Sequence, residues 1–141
     1  MDHKILIGEI LIKRNRITKE QLESALIEQK KEKGFIGEIL VKLGYVEERD
    51  IVVALVVQCG LPYIAINKYF VAPEILQLIP KDVATKEKVV PLDRIGNVLS
   101  LVMMSPLNEE KKNYLENMTQ CHIATFIATK SEIEEAIAKF Y

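Results

Sequence analysis

The sequence predicts an α+β protein: a tandem pair of helical hairpins, four helices in all, followed by a small antiparallel sheet of about three strands packed with helices. Three observations predict it. Residues 7–29 and 36–58 repeat one another with period 29 and carry apolar residues at three- and four-residue steps. From Gly60 onward that period gives way to short β-rich runs broken by Gly and Pro. The chain of 141 residues, 49% hydrophobic and 28% charged, is long enough to bury a core without disulfide or metal staples. The expected organisation is a helical-hairpin subdomain over 1–60 and an α+β subdomain over 61–141, together one domain.

Nine of the 23 aligned repeat positions are identical, among them Ile7/Ile36, Gly8/Gly37, Leu11/Leu40, Ala25/Ala54, Leu26/Leu55 and Gln29/Gln58. Each copy reads as a short helix, a turn and a longer helix. Asn15 and Gly44 occupy the same place in the two turns, and these residue types tolerate the left-handed C-terminal position best. Thr18 with Gln21 three residues on has capping-box composition, while Ile17/Leu22 and Val46/Ile51 sit where hydrophobic staples close a helix entry. Glu47 is a poorer cap, so the second long helix, 47–59, is expected to begin less sharply. Residues 51–57 of that helix are all apolar, which predicts burial on most of its circumference. The first long helix, 18–33, carries Glu20, Glu23, Glu28, Lys30 and Lys31 and is expected to face solvent.

In the second half, Tyr63 to Ile66 suits a short extended piece, and 73–78 and 82–88 suit short helices. The runs 89–92 and 97–103 form a predicted hairpin turning near Gly96-Asn97, with Pro91 placing its strand at an edge. Residues 108–118 are helical with Tyr114, Leu115 and Met118 inward, 122–128 alternate as a strand, and Ser131 caps a last helix with Glu134 at the capping-box position.

Nineteen basic and twenty acidic residues, balanced in both halves, argue against nucleic-acid binding through a basic field. Cys59 and Cys121 lack zinc spacing and read as buried thiols. The longest apolar run, 51–57, is too short for a membrane span, and Gly8-Glu9 interrupts what could have been a secretory core, so a cytoplasmic protein is expected.

No G-x-x-x-x-G-K-[ST] loop, G-x-S-x-G elbow or H-E-x-x-H pair occurs, and His3 and His122 lack catalytic neighbours. No catalytic residue, metal site or cofactor is expected. What stands out instead is Gln29 and Gln58, each at the end of an i, i+3, i+4, i+7 apolar stripe, where a polar amide needs a partner. That partner is either a nearby backbone carbonyl or a ligand. Gly8 and Gly37 stand inside the short helices, each at a cost of about 1 kcal/mol relative to Ala. They serve either close helix packing or close approach of a ligand.

The two 24-residue stretches 6–29 and 35–58, separated by five residues, resemble the tandem motifs of the N-terminal domain of type II secretion and type IV pilus assembly ATPases, in the subset that binds cyclic di-GMP. In that pattern each motif runs Arg-Leu-Gly, spaced aliphatics, Gly, Leu, Leu and a final Gln. Here Leu6 and Phe35 stand in place of the arginines, and Asn15 in place of one glycine. The second half resembles the rest of that domain, notably in Gly60-Leu61-Pro62-Tyr63, Ile79-Pro80 and Met104-Ser105-Pro106-Leu107-Asn108. The resemblance implies a non-catalytic regulatory and protein-interaction domain held at the inner membrane through a protein partner. That partner would be the cytoplasmic part of a secretion or pilus platform protein, or the motor ATPase. It further implies a cyclic di-GMP site across Ile7, Gly8, Leu11 and Gln29 of one repeat and Ile36, Gly37, Leu40 and Gln58 of the other, with Lys4, Lys13 and Lys42 as sources of charge for phosphates. The alternative is an adaptor of the same machinery from which the nucleotide site has been lost.

Overall fold

The computed structural model describes residues 3–105 and 109–141; the side chains of residues 3–6, 58 and 59 lie outside that description. The described residues form eight α-helices and three strands in two compact units, Met1–Gly60 and Leu61–Tyr141. Among them no helix is long and apolar enough to cross a membrane.

The first unit is all helical: α1 (His3–Lys13), α2 (Lys19–Glu32), α3 (Ile36–Lys42) and α4 (Glu48–Cys59). Its two hairpin turns are built alike, because Asn15 (φ +59°) and Gly44 (φ +79°) both take the left-handed conformation. Arg16 N–H donates to Leu11 O at 2.9 Å in one turn and Tyr45 N–H to Leu40 O at 3.0 Å in the other, the six-to-one bond of a Schellman motif. Thr18 caps α2 as expected, its Oγ1 accepting from Gln21 N–H at 3.1 Å while Gln21 Oε1 accepts from Thr18 N–H at 2.9 Å. The start of α4 is better defined than its poor cap suggests. Asp50, at the third helical position, accepts the Glu47 N–H at 2.9 Å.

Packing within this unit is reciprocal. The short helix α1 lies chiefly on α4 and the short helix α3 on α2, while α1 and α3 touch each other. Exchanging the two repeats maps each of these contacts onto another, as an isologous two-fold relation does. Ile7, Leu11, Ile36, Leu40, Ala25, Ala54 and Leu55 form the fully buried core between the helices. Helix α4 buries Ile51, Val52, Ala54 and Leu55, more than α2 does, but it is not apolar-buried all round: Val57 is 60% exposed and Val56 lies at the surface.

In the second unit a 3-10 turn (Ile66–Lys68) and helices α5 (Pro73–Leu76) and α6 (Lys81–Glu87) precede strand β1 (Val89–Ile95), strand β2 (Val98–Met103), helix α7 (Glu109–Thr119), strand β3 (His122–Ile127) and helix α8 (Lys130–Phe140). The sheet order is β1-β2-β3. Gly96, at φ +62°, opens the two-residue loop of the β1–β2 hairpin, which is antiparallel. Pro91 sits on the edge strand as expected, and a bulge follows it at Leu92.

Three expectations are corrected here. The sheet has three strands but is mixed, because β3 runs parallel to β2 with Val98 opposite His122 and Met103 opposite Ile127. The reason is α7: the helix carries the chain back along β2, so that β3 begins beside Val98, where β2 began, whereas a tight turn after Met103 would make the two strands antiparallel. Tyr114 is half exposed rather than inward; α7 buries Leu115 and Thr119, and Tyr114 lies about 100° away on the helix. Helix α8 is capped by Thr129, not Ser131. Thr129 Oγ1 accepts from Glu132 N–H at 3.1 Å and Glu132 Oε1 accepts from Thr129 N–H at 3.0 Å, so the earlier of two overlapping capping boxes starts the helix and lengthens it. The Pro106-Leu107-Asn108 segment lies outside the described residues.

Candidate functional site

The recurring Gly and Gln positions build the candidate site, and the fold gives each described one an internal partner. Gly8 and Gly37 are buried. A Cβ on Gly8 would stand 2.7 Å from Leu22 Cδ1, and a Cβ on Gly37 would stand 2.9 Å from Ile51 Cγ2. Leu22 and Ile51 are themselves repeat mates, 29 residues apart. Each short helix therefore carries glycine where the aliphatic side chain that opens its own hairpin's long helix lies against it, a close-packing role.

Around Gly37 there is a second neighbour. The Phe35 ring lies over this backbone, its Cε2 2.6 Å from the same Cβ position. Phe35 stands where the resembling motif has arginine, so an apolar ring occupies the approach to Gly37 and supplies no donors. The signal for this was present in the sequence as an aromatic two residues before a helical glycine, but nothing local states which way the ring turns.

Gln29 closes the five-residue spacer between the hairpins. Its Nε2 donates to Gly34 O at 2.7 Å, and its backbone carbonyl accepts from Lys33 N–H at 2.8 Å. Lys33 (φ +60°) and Gly34 (φ +119°) both have positive φ, so the chain reverses here through backbone that the buried Gln29 amide holds. The side chain of Gln58, its repeat mate, lies outside the description, as do those of Leu6 and Lys4. Ile7, Leu11, Ile36 and Leu40 have no exposed surface.

Two ion pairs join the repeats. Lys42 binds Glu32, a hydrogen-bonded contact that raises the Lys42 pKa above its ordinary value. Arg16 Nε lies 3.4 Å from Asp50 Oδ1. The cation of each pair is largely exposed, which keeps either pair worth little individually. They do engage Lys42 within the fold, whereas Lys13 points to solvent.

In the second unit, the Tyr63 hydroxyl donates to Glu132 Oε2 at 2.6 Å, and this bond pushes the Tyr63 pKa up to about 12. The Tyr141 hydroxyl donates to Ile79 O at 2.7 Å, and burial pushes its pKa up to about 12 as well. Both bonds tie α8 to the segment that precedes the sheet. His122 is 74% exposed and 3.9 Å from Glu116 Oε2, with no arrangement around it for general base work. Cys121 is buried and free, as expected; the side chain of Cys59 lies outside the description.

Comparison with known proteins agrees with this architecture. The chain is 38% identical over 135 residues to the type IV pilus assembly ATPase PilB of Myxococcus xanthus, which covers 96% of this chain and 24% of that protein. It is 27% identical over 137 residues to PilB of Thermus thermophilus, covering 96% and 15% respectively. The chain thus spans a quarter or less of these relatives. In fold it is similar to the N-terminal domain of XpsE, with a TM-score of 0.84 at 21% identity over 100% of this chain and 99% of that one. It is similar also to MshE solved with cdg (cyclic di-GMP), with a TM-score of 0.78 at 24% identity over 96% of this chain and 98% of that one. The family model for the MshEN domain matches residues 59–141, which is the second unit with its entry from α4. On that match, over more than half its length, the chain belongs to the MshEN domain family, and it has the fold of the N-terminal domains of type IV pilus and type II secretion ATPases.

Proposed function

We propose that this chain is a non-catalytic regulatory and protein-interaction domain of a type IV pilus assembly or type II secretion ATPase. It works by contact with a protein partner, the cytoplasmic part of the inner-membrane platform protein or the motor portion of the ATPase. The observation that supports this reading is that, among the described residues, the recurring glycines and the Gln29 amide are used up by the fold itself. Gly8 and Gly37 pack Leu22 and Ile51, Gln29 holds Gly34, and Phe35 covers Gly37. The experiment is a binding titration of the 141-residue chain against the cytoplasmic part of the platform protein of its own system. The expected result is saturable binding that cyclic di-GMP leaves unchanged. No binding, or binding only when the nucleotide is present, would count against it.

A second reading, cyclic di-GMP bound across Gly8, Leu11 and Gln29 and their mates Gly37, Leu40 and Gln58, is favoured by one specific observation. The reciprocal packing of the hairpins gives the unit two related halves, which suits a ligand with two like halves. Its requirement is that Phe35 and Leu22 move aside.

A further inference from the structure

The second unit holds a cavity that the reading of the repeats does not use. It lies between α6 and α7, has a volume of about 460 Å³ and is lined by Lys86, Glu87, Glu110, Lys111 and Tyr114. Within it stands a carboxylate that the fold leaves incompletely served. The Glu87 side chain is only 10% exposed, and its buried Oε2 accepts no hydrogen bond among the described residues. Lys111 Nζ is 3.4 Å from that oxygen, close enough to offset its charge but not placed to donate. A buried acceptor without a donor is a specific deficit, and what the cavity lacks is therefore an N–H.

The walls indicate which donor fits. Tyr114 presents a half-exposed ring and Glu110 a second carboxylate at the rim. A planar cation that stacks on an aromatic face and donates from its edge satisfies all three groups at once, and a guanidinium is that cation. A compact ammonium is already present as Lys111 and does not make the bond. A divalent metal is disfavoured, because no group of three or more potential ligands occurs among the described residues. An anion would meet the carboxylates of Glu87 and Glu110. The volume falls in the range of about 300–1,000 Å³ of small-ligand sites, enough for a guanidinium with its aliphatic stem.

We infer that the cavity between α6 and α7 binds a guanidinium group, with Glu87 as its acceptor and Tyr114 as its stacking face. The group is either an arginine side chain of a partner polypeptide or free arginine, and the test separates the two. The isotopically labelled 141-residue chain is titrated with N-acetyl-argininamide, with L-arginine and with N-acetyl-lysinamide, and amide shifts around Glu87, Lys111 and Tyr114 are followed. The expected result is saturable binding of the arginine compounds that weakens about tenfold in Glu87→Gln, with the lysine compound weaker than either. Argininamide binding as tightly as L-arginine assigns the guanidinium to a polypeptide, and a clear preference for L-arginine assigns it to the free amino acid. The inference is overturned by the absence of saturable shifts in the wild-type chain at about 100 mM. Equal binding of the lysine compound, or a Glu87→Gln chain that binds unchanged, also overturns it.

Discussion

Gly37 lies so close to Ile51 that a Cβ on the glycine would stand 2.9 Å from Ile51 Cγ2, and the same relation holds between their repeat mates Gly8 and Leu22 at 2.7 Å. The shared contact explains why both short helices carry a residue that weakens them.

Gly37→Ala is expected to destabilise the protein. The substitution gains about 1 kcal/mol of helix propensity but overpacks a site closed by a β-branched side chain and the Phe35 ring, at a cost of about 1–3 kcal/mol. Gly8→Ala is expected to lose less, because the atoms it meets are the terminal methyls of one Leu. Urea unfolding of both variants checks the order; a Gly37→Ala chain more stable than wild type would contradict the packing role.

Gln29→Ala is expected to lower stability by about 0.5–1.5 kcal/mol, the range for one neutral hydrogen bond, through the spacer turn at Lys33-Gly34. A fall in the urea midpoint checks it. Unchanged stability would mean that the amide serves something other than the turn.

Leu55→Ala should cost about 2–5 kcal/mol, since Leu55 is fully buried. Val57→Ala, on the exposed side of the same helix, should stay within about 0.5 kcal/mol. Equal losses at the two positions, measured by denaturant unfolding, would contradict the assigned faces of α4.

Stability is expected to fall at alkaline pH through Tyr141 and Tyr63. Both hydroxyls have folded pKa values raised to about 12 against about 10 unfolded. The unfolded chain therefore releases these protons first, and the contribution is full below pH of about 10 and is lost as pH rises towards 12. The unfolding temperature should be flat near neutrality, fall above pH of about 10, and fall less steeply in Tyr141→Phe. A Tyr141→Phe chain with the wild-type slope would contradict the assignment.

How far the sequence reaches is visible residue by residue. Caps and turns are local chemistry, so Asn15, Gly44, Thr18 with Gln21, and Gly96 are legible without the fold, and the repeat makes the hairpins legible together. The direction of β3 is not written in its own residues; it follows from the helix that precedes it. Thr129 and Ser131 both head a capping box, and only the longer helix decides between them. At the candidate site the positions Gly8, Gly37 and Gln29 are legible as unusual, but their partners are not. Leu22 and Ile51 reach the glycines across a hairpin, Gly34 offers its carbonyl only once the spacer has turned, and the Phe35 ring position depends on packing that no spacing rule encodes.

The most direct test of the account is a calorimetric titration of the 141-residue chain with cyclic di-GMP. Because Phe35 covers Gly37 and the Gln29 amide is held by Gly34, no saturable heat is expected at nucleotide concentrations of about 1 mM, which corresponds to binding weaker than about 4 kcal/mol. A saturable isotherm with one nucleotide per chain, lost in Gly37→Val while the fold is kept, would contradict it.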